Sequence, residues 1–156
     1  MAGFEVHAES MRWRHHNLGR LLSLALQTFE SRVLELLNEQ GLAQVLPSHI
    51  NATRHLEASG TRLTELARRA GMTKQSMAEL VAQLEKQGLV FRTLDPSDAR
   101  ARLIQFTPLG LTWLEAFRLA VEQAEAELAA RLGAEVIDEM KVGLKHISSA
   151  APSLGG

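Results

Sequence analysis

Apolar residues recur at intervals of three and four along most of the chain, which places them on one face of successive α-helices. The strongest pattern lies between Asn17 and Gln40, where Asn17 can cap the first turn and Gly41 can end the helix. Its apolar positions form one wide stripe: Leu18, Leu21, Leu22, Ala25, Leu26, Phe29, Val33, Leu36 and Leu37. A helix of this length has more apolar surface than one small domain can cover, so we expect a partner to cover part of it.

A weaker helical pattern spans residues 47–58, after Pro47 and Ser48. Its inward-facing candidates are Ile50, Ala52, Thr53 and Leu56. Polar residues, among them His49 and Asn51, interrupt this stripe. Two interpretations stay open for the segment: a helix with a weak apolar face, or the polar wall of a pocket.

Two short amphipathic segments come next. The first runs from Leu63 to Ala70, and Gly71 can end it by adopting a left-handed conformation. Thr73 is the candidate N-cap of the second, which Gly88 ends. Each segment is apolar on one face, through Leu63, Leu66, Ala67 and Ala70 in the first and Met77, Leu80, Val81 and Leu84 in the second. Two apolar faces across so short a turn must pack on each other, and the polar face of the second helix then points outward.

The next stretch is rich in β-branched and aromatic residues. Segments Leu89–Leu94 and Arg102–Thr107 favour strands, and residues 95–101 between them favour a turn because they contain Pro and Asp. A helix, a turn, a helix and a hairpin in this order predict a winged helix-turn-helix, a module that reads DNA.

Two further helices are expected after the hairpin. Thr107 and Pro108 supply an N-cap hydroxyl and a proline at the first helical position. Up to about Leu132, a coiled-coil-like seam is formed by Leu114, Phe117, Val121, Ala124 and Leu128. A last helix from Ala134 to His146 has the stripe Ile137, Met140, Leu144 and Ile147. These terminal stripes lack a partner within the chain, so a second copy related by a two-fold axis is the simplest one.

The predicted fold is therefore mainly α with a small β-hairpin wing: a winged helix-turn-helix plus long N- and C-terminal dimerisation helices. We assign residues 1–16 to an N-terminal extension, 17–45 and 108–148 to a helical dimerisation region, 46–107 to the winged helix-turn-helix DNA-binding region, and 149–156 to a loose tail.

Composition narrows the functional classes. The 156 residues include no cysteine, which excludes disulfides and thiolate metal sites, and no apolar run is long enough to span a membrane. The net charge is only −1. Its distribution is uneven, because residues 61–108 contain eight Lys or Arg against five acidic residues. The excess positive charge lies on the predicted DNA-reading module, where a DNA footprint is expected, and chance clustering of the charges is the alternative.

The same module carries four sequence motifs. They are Glu65-Leu66-Ala67-Arg68-Arg69, then Leu80-Val81-x-x-Leu84-Glu85-x-x-Gly88-Leu89-Val90, the wing signature Asp95-Pro96-x-Asp98-x-Arg100, and the exit Leu103-Ile104-x-x-Thr107-x-x-Gly110. With these motifs the run from Leu63 to Gly110 resembles the MarR family of bacterial transcriptional regulators, and weaker resemblance extends from Leu18 to Ile147. Position 99 is Ala where family members often carry a basic residue, which takes one charge from the wing tip.

The predicted second helix of the helix-turn-helix supplies four candidate DNA contacts. Lys74 suits a phosphate, whereas Gln75 and Ser76 suit base edges in the major groove. Thr73 would lie near the DNA backbone. For the neighbouring Arg68 and Arg69, phosphate contact and a solvated surface are equally open.

The wing supplies four more candidates. Arg100 would enter or flank the minor groove, and we expect an ion pair with Asp98 to orient it, as the resemblance also implies. Arg92 and Arg102 would contact phosphates beside it. In the alternative interpretation, Asp98 and Arg100 are a structural turn pair that shapes the wing without touching DNA.

The resemblance implies a homodimer formed by the N- and C-terminal helices. It also implies a small effector, often an aromatic acid, that binds between these helices and the winged region and releases the DNA. His16, His49 and Asn51 are the candidate ligand-binding residues.

The expected function is thus that of a cytoplasmic, ligand-responsive repressor of near-palindromic operators on double-stranded DNA. No enzyme motif, cofactor, metal site or membrane contact is expected. The alternative is a helical interaction adaptor that uses the winged fold without reading DNA.

Overall fold

The computed structural model describes residues 11–41 and 45–149 of the chain, apart from the side chain of Ala99. Its helices are α1 (residues 11–16), α2 (Leu18–Glu39), α3 (Pro47–Arg54), α4 (Leu63–Arg69), α5 (Lys74–Lys86), α6 (Pro108–Leu132) and α7 (Ala134–Ser149). Its strands are β1 (Thr61–Arg62), β2 (Val90–Asp95) and β3 (Asp98–Phe106). The predicted fold class is confirmed. Within the described ranges, no helix has both the length and the apolar character that crossing a bilayer requires.

Helix α2 begins where the sequence predicts, because the Asn17 side-chain oxygen accepts the Arg20 N–H at 3.0 Å. Only its C-terminal half is buried within the chain, through Val33, Leu36 and Leu37. This half packs against α6, and two hydrogen bonds of 2.8 and 2.9 Å join the Arg32 guanidinium to the Glu127 carboxylate. The N-terminal half of α2 is apolar yet exposed, through Leu18, Leu21, Leu24 and Leu26.

Helices α4 and α5 form the predicted helix-turn-helix. Gly71 between them has a φ of 63°, in the left-handed region that favours glycine, and the Met72 N–H closes the end of α4 by donating to the Ala67 carbonyl at 2.9 Å. The Thr73 hydroxyl accepts the Ser76 N–H at 3.1 Å, which confirms Thr73 as the N-cap of α5. The buried residues are among those predicted: Leu66, Ala67, Met77, Leu80, Val81 and Leu84.

A third strand, which the sequence did not reveal, joins the wing. Strand β1 has only two residues and pairs antiparallel with β3, so the strand order is β1-β3-β2. Thr61 lies opposite Ile104 in this pairing, and its hydroxyl accepts the Glu57 N–H at 3.0 Å. The segment that precedes α4 is thereby tied to the wing.

The wing hairpin turns more tightly than predicted. Strands β2 and β3 continue to Asp95 and from Asp98, so Pro96 and Ser97 alone separate them, instead of residues 95–101. One Asp95 carboxylate oxygen accepts the Ser97 N–H at 2.8 Å and the Ser97 hydroxyl at 2.6 Å. This local bonding closes the turn early and leaves the following residues free to pair as strand.

The deeply buried row of helix α6 shares only Ala124 with the predicted seam, and the larger seam residues pack partly buried beside it. Trp113 and a row of small residues, Gly110, Ala116, Ala120 and Ala124, are fully buried, whereas Leu114, Phe117 and Val121 are half-buried. A Cβ at Gly110 would lie 1.9 Å from the Leu89 carbonyl oxygen, so only glycine permits this close packing of α6 on the start of the wing. Small residues therefore bring α6 close to the core.

Helix α7 extends to Ser149, beyond its predicted end at His146, and none of its residues is buried. Its exposed apolar residues are Val136, Met140, Val142, Leu144 and Ile147. Residues 1–10 of the predicted N-terminal extension and 150–156 of the predicted tail lie outside the described residues.

Candidate nucleic-acid interface

The polar face of α5 begins with the residues predicted to contact DNA. Thr73, Lys74 and Gln75 are exposed, and Ser76 is half-buried. They occupy the cap and first turn of the helix, where unpaired N–H groups and the positive end of the helix dipole favour phosphate oxygens. The four predicted side chains therefore lie together at one end of α5.

The N-cap residue Thr73 also determines which side-chain groups in the first turn of α5 remain available for hydrogen bonds to DNA. The Thr73 hydroxyl donates to the Ser76 hydroxyl oxygen at 2.9 Å while it accepts the Ser76 N–H. Ser76 keeps its own hydroxyl hydrogen for an acceptor outside the protein. The Gln75 amide reaches Glu79 only at 3.5 Å, at the limit of a hydrogen bond, so it can exchange this contact for a base edge.

The wing presents two exposed arginines, Arg100 and Arg102, on β3. The predicted ion pair between Asp98 and Arg100 is not formed. The Asp98 carboxylate instead accepts the Arg100 backbone N–H at 3.0 Å, because a short aspartate side chain readily bonds the backbone two residues on. Asp98 therefore shapes the start of β3, and among the described residues the Arg100 guanidinium has no carboxylate partner.

Arg92 differs from the other wing arginines. The sequence predicts a phosphate contact, whereas the structure pairs Arg92 Nε with Glu85 Oε2 at 3.1 Å. Since Glu85 belongs to α5, the pair ties β2 to that helix. A phosphate would have to displace Glu85, so Arg92 is a weaker candidate for DNA contact than Arg100 or Arg102.

Arg62 holds the wing from outside the hairpin, a role that sequence reasoning missed. Its Nε donates to Asp95 Oδ2 at 2.6 Å, and a terminal nitrogen donates to the Ser97 hydroxyl at 3.3 Å. Hydrogen bonds from the Ser97 side chain and backbone, together with Arg62, lower the pKa of the buried Asp95 carboxyl to about 2. No local sequence pattern indicates this contact, because Arg62 and Asp95 lie far apart in the sequence.

The two arginines of α4 are partnered on the protein surface. Glu65 accepts hydrogen bonds from both Arg68 and Arg69, and Arg69 also donates to Glu57 at 2.6 Å. The bonds from Arg68 and then Arg69 lower the pKa of Glu65 to about 2. Contact of either arginine with phosphate would compete with these carboxylates.

The structure does not bring the three predicted ligand-binding residues together. His16 is exposed on α1, and the Asn51 amide approaches the Met72 sulfur at 3.9 Å. His49 is only 2% exposed and bridges Leu46 and Gln83 through its two ring nitrogens. It thus packs between α3 and α5 instead of facing a pocket. In the described part of the chain, no three side chains of the metal-binding types cluster.

A cavity of about 230 Å³ lies elsewhere, between α2, α3 and α6. Its apolar wall is formed by Phe29, Val33, Ile50, Phe117 and Val121. Its polar part is an ion pair, in which an Arg54 terminal nitrogen lies 2.8 Å from Glu30 Oε1. An apolar cleft with one convergent charged pair suits a small amphipathic ligand. The sequence did not identify it because the residues come from three separate helices.

Comparison with known proteins agrees with this architecture. A model of the MarR family matches residues 45–101. An HTH-type transcriptional repressor of Mycobacterium tuberculosis strain H37Rv is 30% identical over 132 residues, which cover 85% of this chain and 94% of the repressor.

Two solved structures of the repressor CouR are also similar. CouR bound to a 23-mer DNA duplex gives a TM-score of 0.73 at 26% identity, over 88% of this chain and 96% of CouR. CouR from Rhodococcus jostii RHA1 bound to p-coumaroyl-CoA gives a TM-score of 0.67 at 28% identity, over 90% and 96% of the two chains.

Proposed function

Because the chain belongs to the MarR family of transcriptional regulators, we propose that it binds a near-palindromic operator as a homodimer and leaves it when a small ligand binds. The chain is a DNA-binding transcriptional repressor and not an enzyme. The operator symmetry, the homodimer and the ligand are the parts that we propose.

The observation that carries the proposal is the exposed polar start of α5, whose opposite face is buried. In the proposed complex Lys74 contacts a phosphate, Gln75 and Ser76 meet base edges, and Thr73 lies by the DNA backbone. The similarity to CouR, which was solved with a DNA duplex, supports α5 as the recognition helix.

The wing supplies the second contact. Arg100 and Arg102 are exposed, and neither is paired with a carboxylate in the described part of the chain, so binding DNA costs them no ion pair. We assign Arg100 to the minor groove and Arg102 to a phosphate. Asp98 contributes by shaping the strand that carries both.

Two substitutions separate these roles. Arg100→Ala should weaken binding to all duplexes and make the fall of log affinity with log salt shallower by about two, because each of the two copies in the proposed homodimer loses one positive charge in the minor groove, close to the phosphates. Gln75→Ala should instead change the preferred base at one position, at a cost of about 1–3 kcal/mol for the parent sequence. Fluorescence anisotropy on matched duplexes at two salt concentrations measures both.

Arg131→Ala, on the exposed end of α6, is the matched control for lost charge and should bind like the parent. If Arg100→Ala and Gln75→Ala both bound operator DNA like the parent, the assigned interface would be wrong.

The homodimer rests on apolar surface that the chain leaves uncovered. Leu18 and Leu21 of α2 are 62% and 50% exposed, and α7 has exposed apolar residues along its whole length. These elements lie at the two ends of the chain, outside the DNA-reading module. A second copy that covers them would give two recognition helices related by a two-fold axis, and hence a near-palindromic site.

The ligand site that we propose is the cavity between α2, α3 and α6, in place of His16, His49 and Asn51. Its apolar wall suits an aromatic ring, and a ligand carboxylate could replace Glu30 as the partner of Arg54. CouR, which has the same fold, was solved with p-coumaroyl-CoA, which supports an aromatic acid derivative as the ligand class. Such a ligand releases DNA only if it favours a geometry in which the recognition helices no longer fit the groove.

Calorimetry with benzoate, 4-hydroxybenzoate and cinnamate tests this assignment. Arg54→Met should weaken the binding of the best of these acids at least tenfold, whereas Arg131→Met, a change of the same kind at a distant site, should leave it unchanged. Equal binding to Arg54→Met and parent would remove Arg54 from the site. If the parent bound none of the three, these acids would be excluded as ligands.

The helical interaction adaptor that the sequence left open is disfavoured by the family membership. One observation is in line with it: Arg68, Arg69 and Arg92 of the DNA-reading module are already paired with carboxylates. An adaptor would show no duplex affinity even at low salt, whereas a repressor would bind with an affinity that falls steeply as salt rises.

A further inference from the structure

His49 is the most buried of the polar residues on α3, and its hydrogen bonds define its chemical state. Its Nδ1 accepts the Leu46 backbone N–H at 3.1 Å, so this nitrogen carries no hydrogen. Its Nε2, 2.8 Å from the Gln83 side-chain oxygen, must then carry the proton and donate it. The ring therefore connects the first turn of α3 to the C-terminal part of α5 in one fixed orientation.

The hydrogen bond between His49 and Gln83 joins α3, which lines the cavity, to α5, the proposed recognition helix. Helix α3 lines the cavity through Ile50 and Arg54, and Arg54 also ties α3 to α2 by its pair with Glu30. Among the described residues, the bond from His49 is the one side-chain hydrogen bond between α3 and α5. The side of α3 that faces α5 is thus held by a directional polar contact, in addition to apolar packing.

Gln83 stands on the recognition face of α5. It lies seven residues after Ser76, which is two helical turns, and so it shares the face that carries the proposed base contacts. A bond at this position resists rotation of α5 about its own axis, which apolar packing alone resists poorly because it is not directional. A small rotation there would misplace the side chains that meet base edges.

We propose that His49 is a positioning residue for DNA recognition: through Gln83 it sets the placement of α5, and it links the cavity-lining helix α3 to the recognition helix. The inference rests on the proposed function, because it takes α5 as the helix that reads DNA. His49 itself is buried and touches no DNA.

The test compares sequence-specific with non-specific binding. Duplexes are selected from a random library by the parent, and the affinities of parent and variants are then measured for the selected duplex and for a scrambled one. Gln83→Leu and His49→Phe should each lower affinity for the selected duplex at least tenfold and change affinity for the scrambled duplex less than twofold. Phosphate contacts, which carry non-specific binding, do not need the exact rotation of α5.

The double variant and two controls separate positioning from general destabilisation. His49→Phe with Gln83→Leu should be no worse than the poorer single variant, because each change removes the same bond. Gln123→Leu, the same chemical change on the exposed face of α6, should keep the parent specificity. Leu36→Ala should unfold more easily than the parent, since it cuts away a buried side chain, yet keep that specificity.

The proposal is overturned if the single variants keep the ratio of specific to non-specific affinity, if their effects add in the double variant, or if Leu36→Ala loses as much specificity. A parent that selects no duplex would overturn the proposed function instead.

Amide hydrogen exchange tests the proposed role of His49 independently of DNA binding. Exchange across residues 74–86 should be faster in Gln83→Leu than in both the parent and Leu36→Ala, and parent-like exchange would rule out a role for His49 in holding α5.

Discussion

Asp95 keeps a charge in a buried position because donors surround its carboxylate. Ser97 gives it two hydrogen bonds and Arg62 gives a third, so the ionised form is favoured over the protonated one. The same three residues fix where β2 turns and where β1 meets the wing. One ionised side chain therefore stabilises the hairpin that presents Arg100 and Arg102.

The stability of the wing should therefore depend on pH in the acid range. The pKa of Asp95 is about 2 in the folded protein against an ordinary value of 3.8, so the ionised carboxylate contributes fully above about pH 4 and progressively less as the pH falls towards 2. Asp95→Asn lacks this contribution at every pH. Urea unfolding should show the variant less stable than the parent at pH 7, with a gap that narrows between pH 4 and 2.

Glu65 has a lowered pKa in the parent and in the variant alike, so its effect cancels in this difference. Asp138→Asn, the same change on exposed α7, is the control and should show no such gap at pH 7. A gap between Asp95→Asn and the parent that did not vary with pH would contradict the account of the carboxylate.

Among the helices and strands, α5 is the one whose sequence signals all lie within the element itself and its flanking residues. Its cap, its apolar stripe and its terminating glycine all lie within sixteen residues of sequence, from Thr73 to Gly88, so periodicity and capping rules predict it without tertiary information. The cap also does more than start the helix, because the Thr73 hydroxyl bonds the hydroxyl of Ser76, the residue that we propose to meet a base edge.

Loss of the cap should be measurable. Thr73→Ala should lower the free energy of unfolding by about 0.5–2 kcal/mol, since a first-turn N–H loses its acceptor, whereas Thr73→Ser should restore most of it. Thr112→Ala is the control, because the Thr112 hydroxyl only bonds the Pro108 carbonyl inside α6. Equal losses in Thr73→Ala and Thr112→Ala, by urea unfolding, would show that the cap is not important.

The formation or burial of other elements depends on tertiary contacts, which the periodicity of the sequence does not indicate. Strand β1 has two residues and exists only because β3 lies beside it, so no local pattern predicts it. On α6, apolar residues occur on more than one side: Trp113 and the row of small residues are buried in the core, whereas Leu114 and Phe117 of the predicted seam are only partly buried against it. The contact between His49 and Gln83 has no local signal in the sequence, because the two residues belong to different helices.

The whole molecule concentrates its excess positive charge and most of its exposed apolar residues in different regions. The positive excess lies on residues 61–108, whereas residues 109–156 contain four basic and seven acidic residues. The exposed apolar residues of α2 and α7 lie outside the positive region, in the sequence that flanks it. The two faces therefore suit two partners, duplex DNA for one and a second copy of the chain for the other.

A charged residue in the exposed apolar surface of α2 should weaken the proposed homodimer. Leu21→Glu would place an unpaired carboxylate in the proposed dimer contact, so its dissociation constant should rise by at least about tenfold. Leu94→Glu, at a leucine of similar exposure on the wing, is the matched control and should leave the dimer intact. Sedimentation equilibrium measures both, and an unchanged Leu21→Glu dimer would exclude this part of α2 from the contact.

The central claim is that the chain reads DNA sequence as a two-fold dimer. Selection of genomic fragments by the purified protein, at two salt concentrations and read by sequencing, tests it most directly. The account predicts enrichment of one near-palindrome with half-sites about one helical turn apart, bound less tightly at the higher salt. A folded, dimeric protein that enriched no sequence at either salt would contradict it.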